Sequence, residues 1–227
     1  ETLVELVKLP KGKHLLAYEL PHNDAANVLY MQAPETGYAA RAKMGITAQV
    51  LKPAYFNSLR TEQQFGYIVY ANVSVMQRQG GMVFIVQSPT KTSAEIEAAT
   101  RVFFEESLQT ARNITLEEYS QHQQALIAAL SQPPQNLAEE AGDYWHQLIE
   151  GYVDFEVDQE LINAINTLDL AQWQQFYESY FIAGGEASLL LTSSGKISNG
   201  AEKLLESYQL INDIDEFKKD AESLGFK

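Results

Sequence analysis

The chain has 227 residues, of which 45% are hydrophobic and 20% charged, enough apolar mass for a sizeable core and too much for a disordered chain. It has no cysteine, which excludes disulfide scaffolds, thiol catalysis and Cys-ligated zinc. A formal net charge of −14 argues against general binding to phosphate backbones, and no apolar run approaches the ~18 residues that a membrane span needs.

The N-terminus, Glu1-Thr2-Leu3-Val4-Glu5, is neither a Met start nor a signal peptide and reads as a processed chain or a piece of a longer one. Residues 3–9 alternate as a strand. Pro10-Lys11-Gly12-Lys13 turns the chain, and residues 14–20 return as a second strand, which predicts a hairpin. Residues 26–33 are a third strand. Ala40, Met44, Thr47 and Leu51 recur at helical spacing over residues 37–51, and Pro53 is expected to end that helix and open a short one over 54–63. The Tyr-, Ile- and Val-rich stretch 65–75 is a strong strand; Gly80-Gly81 is the predicted turn, with 82–88 pairing back.

Helices then dominate. Thr92-Ser93-Ala94-Glu95 is a capping box opening a helix to about residue 111, and Thr115-Leu116-Glu117-Glu118 starts another to about 130. Pro133-Pro134 breaks the pattern, Asn136 caps a third helix to about 150, and Asp169 precedes a fourth over 170–180. Gly184-Gly185 ends it, 187–192 is a last strand, 194–213 has no decisive period, and 215–224 reads as a terminal helix. This order predicts an α+β fold: a two-layer sandwich of an antiparallel-rich mixed sheet with helices on one face. The economical division is one domain over residues 1–193 and a tail with a terminal helix over 194–227.

Charge is unevenly spread. Residues 92–160 carry fourteen acids against Arg101 and Arg112, a net of −12, whereas residues 37–91 carry six basic residues against Glu62, a net of +5. The acidic block reads as a solvated helical face, or the two blocks face different surroundings.

The four histidines, His14, His22, His122 and His146, show no H-E-x-x-H or H-x-x-E-H spacing, and there is no G-x-S-x-G, Walker loop or G-x-G-x-x-G. One stretch stands out, from Tyr55 to Val69. A short helix there puts Phe56 and Arg60 on one face, with Tyr67 just after the turn. A guanidinium offers a planar donor fork for carbonyls or carboxylates, and a phenol can donate to an oxyanion as its charge develops. The plainer alternative places Phe56 and Tyr67 in the core and pairs Arg60 with Glu62.

Residues 56–69, Phe-Asn-Ser-Leu-Arg-Thr-Glu-Gln-Gln-Phe-Gly-Tyr-Ile-Val, closely resemble the F-N-x-L-R-T-x-x-Q-L-G-Y-x-V segment of the pitrilysin/insulysin zinc metallopeptidases. Weaker similarities recur in order at His22-Asn23, Phe84-Ile85-Val86-Gln87-Ser88, Leu137-Ala138-Glu139-Glu140-Ala141 and Phe176-Tyr177. The departure is Phe65, where the family usually has Leu. The resemblance implies the last of four homologous domains in an endopeptidase that degrades oligopeptides in an enclosed chamber, with the N-terminal half of the same polypeptide and the peptide as partners. It places zinc in the N-terminal domain and none in this one. It assigns Arg60 to the substrate backbone, Tyr67 to the oxyanion, and Phe56 to the pocket after the scissile bond. This chain alone is then expected to cleave nothing. The periplasm is the expected compartment, and a non-catalytic structural or peptide-binding subunit is the alternative.

Overall fold

The computed structural model describes residues 6–182, 187–195 and 203–224. Six strands form an open mixed sheet: β1 (Gly12–Tyr18), β2 (Ala25–Gln32), β3 (Ile68–Met76), β4 (Gln79–Ser88), β5 (Ala187–Ser193) and β6 (Gln209–Leu210). Their order is β3-β4-β2-β5-β1-β6; the β3-β4-β2-β5 pairs are antiparallel, and β1 runs parallel to both β5 and β6. Seven α-helices lie among the described residues: α1 (Tyr38–Phe56), α2 (Ser93–Asn113), α3 (Leu116–Leu130), α4 (Leu137–Ile149), α5 (Val157–Thr167), α6 (Leu170–Phe181) and α7 (Ile214–Asp220). The fold class is α+β, as the element order predicts.

One row across the sheet shows where the core sits. Ala71, Phe84, Leu29, Leu190 and Leu15 stand in register on five successive strands, and each is at most 3% exposed. Helices α1 and α2 pack on this side, with α3, α5 and α6 against them. Side chains alternate along a strand, so the neighbouring row, Tyr70, Ile85, Val28, Leu191 and Leu16, points to the other side. None of these five is fully buried.

Four sequence expectations are corrected. The N-terminal hairpin does not form: β1 has β5 on one side and β6 on the other, so both of its edges are taken. Val7 instead makes an antiparallel bridge to Ser223, and residues 3–5 of the expected strand lie outside the described residues. Pro53 sits inside α1 rather than between two helices. A proline within a helix costs about 3 kcal/mol, but Leu51, Tyr55 and Leu59, each at most 1% exposed, recur every four residues across it. Burying each of these supplies roughly 1.5–3 kcal/mol. The tight turn of the β3–β4 hairpin falls on Gln77-Arg78, not Gly80-Gly81. Both turn residues take positive φ, 45° and 69°, as two-residue hairpin turns demand. Gly81 is needed inside β4 instead, since a Cβ there would lie 2.4 Å from the Tyr30 ring. Finally, α5 has no counterpart in the sequence reading. Its N-cap residue Glu156 makes no side-chain capping bond, although Val157, Leu161 and Ile165 are buried at helical spacing.

The capping box at Thr92/Glu95 forms as expected, and the helix expected to start at Thr115 does so with a second box, Thr115/Glu118. Gly184-Gly185 lies outside the described residues. Beyond Ser193 the chain stays attached to the sheet. Leu204 and Tyr208 are buried, and the Tyr208 hydroxyl joins the Arg101–Glu97 ion pair, accepting from Arg101 Nη2 at 2.7 Å and donating to Glu97 Oε1 at 2.8 Å. Helix α7 sets Phe217 edge-on against the His14 ring, 5.2 Å between centroids.

Candidate functional site

The segment between α1 and β3 is built to hold a surface loop still. After Phe56 the helix widens into a π-helical turn over Asn57–Glu62, so that Gln63 N–H donates to Ser58 O at 3.0 Å and Phe65 N–H to Leu59 O at 2.9 Å. Leu59 is fully buried and pins the turn from below. Asn57 Nδ2 donates to Glu62 Oε1 at 2.7 Å, which occupies the carboxylate that could otherwise have paired with Arg60. Gln64 then takes a positive φ of 54°, reversing the chain into Phe65, which is buried beneath the Lys91 ammonium.

Gly66 is fixed by a close approach. A Cβ at this position would lie 1.9 Å from the Gln87 carbonyl oxygen, so no other residue fits while the loop rests on the end of β4. On the far side, the Gly66 carbonyl accepts a hydrogen bond from Arg60 Nη1 at 3.0 Å. The same guanidinium lies over the Tyr67 ring, 4.7 Å from its centroid, within cation–π range. Arg60 and Tyr67 are therefore brought together. The rest of the Arg60 fork and the Tyr67 hydroxyl have no hydrogen-bond partner among the described residues. Tyr67 is 85% exposed and Phe56 is 47% exposed, so neither is a core residue.

Next to this pair runs the side of the sheet that stays partly exposed among the described residues. Ile68 and Tyr70 are exposed on β3, and the half-buried Val28, Tyr30, Val83, Ile85, Leu189 and Leu191 continue the apolar surface. Lys52 reaches Asn72 Oδ1 at 3.0 Å, and Asn72 Nδ2 donates to the Tyr70 hydroxyl at 2.6 Å, setting a polar rim beside the apolar strip. The basic segment 37–91 thus borders this face. An open groove of about 640 Å³ lies elsewhere, among Pro34, Lys43, Leu168 and Phe176.

The histidines do not converge. His14 is buried with Nε2 donating to the Pro10 carbonyl at 3.1 Å, His22 Nδ1 accepts from Asp24 N–H, and His122 and His146 sit on different helices, α3 and α4. Among the described residues no group of three His, Asp or Glu side chains could hold a metal ion, so this donor set does not fit zinc.

The contacts that fix the loop, made by Gln87 and Ser88, are not written in the sequence around it. Gln87 and Ser88 lie at the end of β4, more than twenty residues from Gly66, and only the glycine itself signals that something approaches closely there. Helix α4 was also read without its consequence. None of its residues is buried, and Leu137, Tyr144, Trp145, Leu148 and Ile149 are exposed along it.

Comparison with known proteins adds four findings. Residues 46–145, which include the loop, match the family described as PQQ synthase PqqF-like, C-terminal lobe domain 4. The chain is 28% identical over 193 residues to Protease 3 of Escherichia coli O6:H1, covering 84% of this chain and 20% of that protein. It is 28% identical over 222 residues to the A-factor-processing enzyme of Saccharomyces cerevisiae, covering 92% of this chain and 21% of that protein. The chain thus spans about a fifth of the length of these relatives. In fold it is similar to the crystal structure of pitrilysin, with a TM-score of 0.85 over 99% of this chain and 24% of that one, at 23% identity.

Proposed function

Because this chain belongs with the C-terminal-lobe domains of the pitrilysin/insulysin-like peptidases, we propose that it supplies Arg60, Tyr67 and Phe56 to peptide hydrolysis performed by a longer polypeptide. The observation that carries this reading is the held pair itself. Arg60 and Tyr67 stack on one another, the loop beneath them is pinned, and their remaining donors have no partner among the described residues.

Each residue has a role suited to its chemistry. The planar Arg60 fork, tied at one nitrogen to Gly66, keeps its other N–H groups for the carbonyls of an extended peptide. The Tyr67 hydroxyl donates to the oxygen on which charge develops as the scissile carbonyl becomes tetrahedral, an interaction stronger in the transition state than in the bound peptide. Phe56 presents an apolar wall to the side chain that follows the scissile bond. The metal implied by the family has no ligand set among the described residues, so in this reading it belongs to the N-terminal half of the polypeptide, which also closes a chamber over the peptide. The apolar side of the sheet and the exposed face of α4 support such neighbours, since contiguous apolar surface of this kind marks a contact. The division into a body over 1–193 and a tail over 194–227, and a periplasmic location, are parts of the same proposal. Cell fractionation checks the latter.

Reconstitution tests the whole. This chain alone is expected to hydrolyse no peptide, the remainder of the longer polypeptide alone is expected to be inactive, and the two together are expected to cleave. Peptide hydrolysis by this chain by itself would contradict the proposal. Undiminished hydrolysis by the pair after replacing both Arg60 and Tyr67 would instead favour the structural-subunit alternative.

A further inference from the structure

Ser88, the last residue of β4, is fully buried, yet its hydroxyl is busy with backbone from two directions. Oγ–H donates to the carbonyl of Phe65, and Oγ accepts the N–H of Thr90 at 3.3 Å and of Lys91 at 2.9 Å. One hydroxyl therefore clamps the loop that precedes Tyr67 to the turn that leaves β4. The same contact is reinforced by shape, since Gly66 lies against the Gln87 carbonyl, and an added Cβ would also come within 3.2 Å of Ser88 Cα. Tyr67 is two residues from the clamped carbonyl and one from the packed glycine. Apart from the Arg60 guanidinium over its ring, its side chain is exposed, so its direction is set by this backbone together with that one contact.

We propose that Ser88 is a positioning residue for Tyr67: it cannot reach a peptide itself, but it fixes the backbone from which the phenol is aimed. This rests on the reading that Tyr67 acts on the peptide. The competing account is that Ser88 merely satisfies a buried turn. The two differ in what they predict once folding is accounted for. A turn residue lowers the folded fraction and leaves turnover per folded molecule alone. A positioning residue lowers turnover per folded molecule, and only while the Tyr67 hydroxyl is present, because a mutation acting through another group loses its effect when that group is removed.

The experiment is a double-mutant cycle on the peptidase polypeptide that carries this chain, with Ser88→Ala, Tyr67→Phe and both together. Steady-state kinetics on a short peptide are normalised to the folded fraction. Ser88→Ala is expected to lower kcat by about tenfold or more with KM within about threefold, and to add less than about twofold on top of Tyr67→Phe. If Ser88→Ala does not fold, Ser88→Cys, which keeps the volume and weakens the donor, carries the same test with an expected loss of roughly threefold. If the Ser88 change leaves kcat of the folded enzyme unaltered, or multiplies fully with Tyr67→Phe, the positioning role is wrong while the reading of Tyr67 stands. If Tyr67→Phe is itself without effect, that reading falls, and the role of Ser88 falls with it.

Discussion

Two rows of side chains on the same five strands meet very different surroundings. Ala71, Phe84, Leu29, Leu190 and Leu15 are sealed under the helices; Tyr70, Ile85, Val28, Leu191 and Leu16, one position along on each strand, are not sealed by anything among the described residues. Both rows are apolar. A sheet meant to face water on one side alternates apolar with polar. Strand β4 reads Met-Val-Phe-Ile-Val from residue 82, without that alternation. Two tyrosines make the same contrast in miniature. Tyr55 is fully buried with its hydroxyl paired to Thr100 Oγ1 at 3.0 Å, whereas Tyr67 is exposed and its hydroxyl has no partner among the described residues. Stability lives where groups are spent on each other, and the proposed function lives where they are left over.

Cavity formation should separate the two rows most clearly. Phe84→Ala removes a ring packed edge-on against Tyr55 and Phe104 and is expected to cost about 3–5 kcal/mol. Ile85→Ala, on the open side, should cost about 1–2 kcal/mol, since much of its surface is already partly wet. Equal losses in denaturant titrations would mean that the open face is covered in solution, for instance by self-association.

Alkaline stability comes next. Burial pushes both Tyr30 and Tyr119 up to about 12 from the ordinary value of 10.0. Tyr119 also donates its hydroxyl to the Leu168 carbonyl at 2.9 Å. A raised folded value means that the contribution is complete below pH 10 and is lost as the pH climbs towards 12. The melting temperature should fall across that window, and Tyr119→Phe should flatten part of the fall.

Hydroxyl removal gives a smaller effect. Tyr55→Phe should cost about 1 kcal/mol, the net worth of one buried hydrogen bond. Tyr67→Phe should leave stability within about 0.5 kcal/mol, as surface changes do.

Acid effects should be smallest. Hydrogen bonds from the backbone and side chain of Thr92 hold the Glu95 carboxyl below its ordinary value of 4.5, and Thr115 does the same for Glu118. A depressed folded value means that this stabilisation is present above 4.5 and is lost as the pH falls through the lower value. The solvated position of both carboxylates keeps it slight. Helical circular dichroism between pH 5 and about 2, with and without Thr92→Ala, would show it.

How much of this could be read from the chain depends on whether the deciding contact is local. The capping box at Thr92 and the helix start at Thr115 are each written within four residues, and both form. The α+β layering follows from element order. Helix α5 was missed because it lacks a capping side chain, the signal on which its neighbours were recognised. Pro53 and the N-terminal hairpin were misread because distant partners decided them: the buried Leu51-Tyr55-Leu59 stripe in one case, and strands β5 and β6 in the other. The site divides in the same way. Phe56, Arg60 and Tyr67 stand in one linear segment, so the candidate set can be proposed from that segment alone. Nothing in that segment shows that a glycine packs on Gln87, or that the Glu62 carboxylate is taken by Asn57.

The central claim is that the spare Tyr67 hydroxyl is used on the peptide, and kcat of Tyr67→Phe tests it most directly. The ring and its stacking on Arg60 survive the change, so folding and peptide affinity should be nearly preserved. Loss of one donor to a developing oxyanion should lower kcat by about 10²–10³-fold, roughly 2.7–4 kcal/mol. Turnover within about twofold of wild type, under roughly 0.5 kcal/mol, would show that the hydroxyl takes no part and would contradict the account.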